Sequence, residues 1–153
     1  MKYRVVIAKK NKTFPIKGLN ELLAGRMYNY RTKKYHNYVK TDNDKVCCVA
    51  IHRDLKSVVL KTPIRCTYYI YAQDKRHDRG NLYSATEKSF LDALQTCKCL
   101  KNDGFNEVLD SVFHTEVDNL NPRIEVIIEE VSQKALEKFN GLVEIEEVEG
   151  QDE

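Results

Sequence analysis

Nine residues constrain this chain more than any others. From Ile64 to Ala72, the side chains of Ile64, Cys66, Tyr68, Ile70 and Ala72 alternate with those of Arg65, Thr67, Tyr69 and Tyr71. A period of two, enriched in aromatic and β-branched residues, is strand periodicity. A strand of that kind needs neighbours in a sheet and a layer to bury its apolar side. The rest of the chain must supply both.

Tyr3 to Ala8 reads as a second strand, followed by a basic loop from Lys9 to Lys17 and the segment Gly18 to Gly25. From Thr32 to Leu55 the pattern turns helical, with Tyr35, Val39, Asp42, Val46, Val49, Ala50 and Arg53 at spacings of three and four. After the central strand, Gln73 to Gly80 is polar, and Asn81 to Thr96 carries Leu82, Ala85, Phe90, Ala93, Leu94 and Cys97 near one helix face. Glu107 to Val117 and Arg123 to Glu130 read as strands joined by a turn at Asp118 to Pro122. Ser132 can cap a short last helix ending near Asn140 and Gly141. The expected fold is therefore α/β in the α+β sense: a small mixed sheet, antiparallel through its C-terminal strands, packed on helices. The expected division is a domain over residues 1–131 and a short helix with an acidic tail over 132–153.

Charge separates along the chain. Residues 1–77 carry 18 basic and 5 acidic side chains, a net of +13, while residues 78–153 carry 7 and 18, a net of −11. The basic part suits a polyanion, and the acidic part suits metal chemistry or a solvated tail. No apolar run approaches the length of a membrane helix, and the N-terminal apolar stretch is too short for a signal-peptide core, so a cytoplasmic protein is expected. Five cysteines, none in a C-x-x-C arrangement, read as reduced structural thiols.

The stretch Asp74 to Asn81 carries the most chemistry. Asp78 lies where a strand gives way to a helix, and Asp103 lies in the loop after that helix. If the helix packs back along the strand, the two carboxylates meet at one end of the sheet and can hold Mg²⁺, which takes one or two carboxylates plus water and substrate phosphate. Lys88 on the connecting helix is placed to meet a phosphate or its developing charge. The structural reading of the same residues is an N-cap at Asp78, a turn at Asp103-Gly104 and a helix-surface ion pair between Lys88 and Asp92.

Five pieces then come in an order that resembles the RusA family of Holliday-junction resolvases, common in prophages. They are Asp74-Lys75-Arg76-His77, Asp78-Arg79-Gly80-Asn81, Lys88 to Leu94, Asn102-Asp103-Gly104 and Asn121-Pro122-Arg123-Ile124-Glu125. The entry segment Gly18 to Glu21 is similar as well, and the resemblance covers about residues 3–130. It implies a dimeric endodeoxyribonuclease, dependent on Mg²⁺ or Mn²⁺, that resolves four-way DNA junctions. It makes Asp78 and Asp103 the metal carboxylates, Lys88 the third catalytic residue, and Asn81 the match to the motif asparagine.

Two positions depart from the family pattern: Gly80 stands where the second Asp of Asp-x-Asp falls, and Asn102 where the first Asp of Asp-Asp falls. Each removes a carboxylate from the implied metal site. The resemblance thus leaves two expectations, a junction-cutting enzyme and a junction-binding homologue impaired in cleavage. Arg26, Arg31, Lys33, Lys34, Lys40, Lys75, Arg76 and His77 are the expected DNA contacts, together with Asn81. Tyr28, Tyr30, Tyr35 and Tyr38 lie among them and can stack on exposed bases, although Tyr35 also fits a core position. A third expectation is a protein-interaction module whose charged halves pair with each other.

Overall fold

The computed structural model describes residues 1–132 and builds a four-stranded sheet with two long helices on one face. Strand β1 (Lys2–Ile7) leads to a short helix α1 (Leu19–Ala24), a hairpin β2 (Arg26–Asn29) and β3 (Lys34–Asn37), and helix α2 (Tyr38–Leu55). Strand β4 (Ile64–Ala72), helix α3 (Arg79–Thr96), and strands β5 (Val108–Val117) and β6 (Arg123–Glu130) complete it. The α+β class is as expected. The expected last helix and acidic tail beyond Ser132 fall outside the described residues. No described helix is long and apolar enough to cross a membrane.

The alternation in β4 has the consequence its sequence implied. Ile64, Cys66, Tyr68, Ile70 and Ala72 are all buried, joined by Ile124, Val126 and Ile128 of β6 and Val5 and Ile7 of β1. Helices α2 and α3 cover this face. At roughly 25 cal/mol per Å² of apolar area, such a layer is the main stabilising term of the fold. Among the described residues, the opposite face carries ion pairs and stacked rings and no second layer. Arg4 and Arg123 pair with Glu125, Arg65 Nε donates to Asp110 at 2.6 Å, and Tyr69 stacks on His114 at 5.0 Å.

The sheet order is β1-β6-β4-β5, with β4 and β5 parallel and β6 antiparallel to both β4 and β1. This corrects the reading of β5 and β6 as a paired hairpin. They run in opposite directions, but β4 lies between them. The Asp118 carboxylate closes the connecting turn by accepting from the Leu120 and Asn121 amides, and it holds Arg123 at 2.9 Å. Such a turn reads locally like a hairpin; only the burial of β4 on both edges shows otherwise.

The helix expected from Thr32 starts at Tyr38. Arg26 to Asn37 instead forms a hairpin, with Tyr28 opposite Tyr35 and Arg26 opposite Asn37. Its turn is set by Asn29, whose side chain accepts from the Arg31 and Thr32 amides, and by Lys33 in the left-handed region at φ 56°. Asn37 then ends the hairpin and starts the helix. Its side chain accepts from the Lys40 amide at 3.1 Å and donates to the Leu22 carbonyl at 2.7 Å. Gly25 permits this junction, since a Cβ there would lie 2.7 Å from Val39 and 2.8 Å from the Asn37 side chain. The buried stripe of α2 is Asn43, Cys47, Ala50, Ile51 and Leu55, while Val49, expected on that stripe, is exposed. Asn43 is buried because it both donates to and accepts from the Lys17 backbone, at 3.0 Å each way.

The outer edge of β1 is tied to the end of α2. Asp54 accepts from the Val6 amide at 2.8 Å and from Arg53, whose guanidinium also donates to the Val6 carbonyl. The Arg53 hydrogen bond holds the Asp54 carboxyl below its ordinary range, against a smaller opposing effect of burial. A carboxyl depressed in the folded state adds stability above the unfolded carboxylate range and loses it as pH falls through the folded value. Asp54→Asn should therefore destabilise at neutral pH, and the gap to wild type should shrink toward zero in urea titrations taken down to about pH 2.

Candidate nucleic-acid interface

The expected DNA contacts assemble on two neighbouring features. Arg26 lies on β2, Arg31 and Lys33 in the hairpin turn, and Lys34 on β3, all exposed. The hairpin turns the same residues outward from the body, so none of these cations is drawn into the core. Lys75, Arg76 and His77 form the exposed loop between β4 and α3. Arg76, His77, Asp78 and Asn81 line a cleft of about 470 Å³ with Lys17, Gly18, Asn20, Glu21 and Gln73. Helix α1 joins the two features, since Glu21 lines the cleft while Leu22 binds the hairpin end at Asn37.

Lys40 leaves the expected set of DNA contacts. Its ammonium lies 2.6 Å from Asp44 and 2.9 Å from Asp92. Burial alone would lower its pKa, but these two carboxylates outweigh it and hold Lys40 above its ordinary value. Lys88 pairs with the same Asp92 at 3.3 Å, which is the helix-surface arrangement rather than a phosphate contact. Asp92 thus bridges α2 and α3 electrostatically.

Asp78 and Asp103 do not meet. Asp78 is the N-cap of α3, its side chain accepting from the Asn81 amide at 3.3 Å. Asp103 instead shares a pocket of about 390 Å³ with Glu87, Leu91, Asp110 and Ser111. Glu87 is nine residues along from Asp78, on the order of 13 Å at 1.5 Å per residue. One Mg²⁺ held by both would need their oxygens within a few ångströms. The chain after α3 returns beside the middle of the helix rather than to its start, and that path separates the two carboxylates. Among the described residues, no group of three or more His, Cys, Asp or Glu side chains is placed to hold a metal ion. The residues therefore do not fit the metal centre that the family resemblance implies.

Asp78→Ala should cost about 0.5–2 kcal/mol, the usual worth of an N-cap, while Asp78→Asn should cost little because Asn caps equally well. Urea midpoints of the two variants check this. A loss of stability in the Asn variant as large as in the Ala variant would contradict the capping role.

Some residues at these sites carried no local signal. Lys17 reaches the cleft only because Asn43, 26 residues away, holds its backbone. Asp110 faces the Asp103 pocket because β5 pairs beside β4, where it also meets Arg65. The thiols are unpaired, as expected. Burial pushes Cys66 up to about 12 and Cys48 up to about 11, which keeps them protonated and unreactive near neutral pH.

No family model matches this chain, and no curated protein is significantly similar to it.

Proposed function

We propose that this protein binds branched DNA, with four-way junctions as its preferred class, and that it does so without a metal centre built on Asp78 and Asp103. The observation that carries the reading is the pairing of an exposed basic hairpin with the cleft lined by Lys17, Arg76, His77 and Asn81. Exposed Lys and Arg side chains supply the sequence-independent part of DNA affinity through phosphate neutralisation and counterion release. Two such neighbouring features can each follow one arm of a branched backbone. A two-fold dimer belongs to the reading, because a four-way junction offers two equivalent faces.

A second reading, a junction-resolving endonuclease, is favoured by one observation. Glu87, Asp103 and Asp110 line the same pocket; as they stand the three do not form a metal-holding group, so hydrolysis there would need them to draw together on the metal, with Asp78 taking no part. The two readings separate in one experiment. The full chain is incubated with a synthetic four-way junction and a matched linear duplex, across a salt series, with and without Mg²⁺ or Mn²⁺. Junction affinity at least tenfold above duplex affinity, with no cleavage, supports the first reading. Metal-dependent cleavage that Asp103→Asn abolishes supports the second. Equal, weak binding to both DNAs at low salt sinks both. Gly80→Asp adds a separate probe: a Cβ at Gly80 would meet only the Asp78 carboxylate, at 3.3 Å, so the substitution is accommodated by a small shift of the cap. If cleavage appears only in this variant, the chain is an impaired member of the resolvase type.

A further inference from the structure

The β2–β3 hairpin exposes more aromatic surface than its own stability requires. Tyr30 is 86% exposed, Tyr35 62% and Tyr28 40%. Tyr28 and Tyr35 can steady the ribbon as a cross-strand pair, but Tyr30, held almost wholly in water, buries little surface there.

The rings are ordered among themselves. Tyr28 and Tyr35 are cross-strand partners, with centroids 5.1 Å apart and edge to face. Tyr28 also meets Tyr30 edge-on at 4.9 Å and 84°. The Arg26 guanidinium lies 4.4 Å over the Tyr35 ring. These contacts give the rings different roles. Tyr28 is the packing centre and Tyr35 has one face taken by Arg26. Tyr30 opens the turn that Asn29 fixes and is the most exposed of the three. Arg31 and Lys33 follow it in the turn, both exposed, so the ring stands next to cations along the chain.

Resting on the DNA-binding reading, we infer that this hairpin is a base-stacking wedge, with Tyr30 as the ring that takes an unpaired base and Tyr28 and Tyr35 as its support. The ligand class is an unstacked nucleotide, at a branch point or in a single strand. Every base offers a π-face, so stacking of this kind is indifferent to sequence, and the neighbouring cations meet the adjacent phosphates. A linear duplex offers no free base to the ring. The wedge therefore converts general phosphate affinity into preference for branched or single-stranded DNA. The opposite face of the hairpin carries Met27, Lys34 and His36, and there the ring contact is a single edge-on pair, His36 with Tyr38 at 4.3 Å.

The test compares Tyr30→Ala and Tyr30→Phe with wild type on three probes. They are an oligo-dT single strand, a linear duplex, and a four-way junction with 2-aminopurine at the branch nucleotide. Tyr30→Ala should weaken single-strand and junction binding by about ten- to a hundredfold. Duplex binding should stay within about twofold, since phosphate contacts are untouched. Tyr30→Phe should match wild type, and the change in 2-aminopurine fluorescence on binding should be lost only in the Ala variant. Tyr30 is exposed in a turn, so both variants should melt with wild type. If wild type binds junctions but Tyr30→Ala changes all three affinities alike, or none, the wedge is overturned and DNA binding stands. A protein partner for the hairpin would produce that second result. If wild type binds none of the probes at low salt, the wedge and the DNA-binding reading fall together.

Discussion

Replacing Arg26, Arg31, Lys33 and Lys34 together with Ala should lower affinity for a four-way junction on the order of a thousandfold near 0.1 M salt. The estimate follows from counterion release. Each phosphate neutralised contributes about 0.9 to the slope of log affinity against log salt, so four contacts contribute about 3.6. At a tenfold dilution from 1 M that slope is worth between three and four decades. All four side chains are exposed on one hairpin, so the variant should fold as wild type does. The loss should be nearly the same for junction and duplex and several-fold smaller for a single strand, whose slope is about 0.7 per phosphate, because phosphate contacts position DNA without reading its branching. That pattern separates the charges from Tyr30, whose removal should affect unpaired DNA alone. Filter-binding or anisotropy titrations from 50 to 300 mM salt give both the affinity and the slope. An unchanged slope would show that the hairpin does not touch the backbone.

Phe90→Ala should be the most damaging single substitution for stability, costing about 3–5 kcal/mol. Phe90 has no exposed surface and meets Tyr68 edge-on at 5.8 Å. Tyr68 in turn stacks on Phe113 at 4.9 Å, and Phe113 on Tyr83 at 4.6 Å. These four rings join α3 to β4 and β5, and the Tyr83 hydroxyl adds a 2.7 Å hydrogen bond to Thr115. Removing the Phe90 ring leaves a cavity under the middle of α3 that the rigid stack cannot close. Domains of this size are stable by roughly 5–15 kcal/mol, so the variant should lose a large part of its margin. A urea melt measures it. Lys88→Ala, two residues away but exposed in a surface ion pair, should lower the unfolding free energy by less than about 1 kcal/mol. A comparable loss in both would mean that the α2–α3 ion-pair cluster, and not the aromatic stack, carries the stability.

The same contrast explains which elements were legible beforehand. β4 and α3 were readable because their side chains repeat with a fixed period and the buried set is chemically distinct from the exposed one. The hairpin was misread because Tyr, Arg and Lys side chains carry no such contrast. Tyr35 and Val39 fall at helical spacing, yet Tyr35 is exposed on a strand and Val39 follows the true N-cap, Asn37. The α2 stripe was misplaced because one of its buried members is an asparagine, satisfied only by the distant Lys17 backbone. Among the candidate site residues, the basic ones were found by composition. The carboxylate pair rests on the expectation that the helix packs back along the strand and so brings both groups to one end of the sheet.

From the sequence alone come a small mixed sheet packed on helices, a basic N-terminal half and the capping chemistry at Asp78. These follow from local periodicity, charge and short-range hydrogen bonding, all of which are written within a few residues. Only the tertiary structure decided that β4 separates β5 from β6 and that Lys40 is held by Asp44 and Asp92. It likewise placed Asp103 with Glu87 and Asp110 rather than with Asp78. Each of these depends on which distant segments lie side by side. That is set by the burial of the whole apolar face and by the path of loops whose own sequences are compatible with several routes.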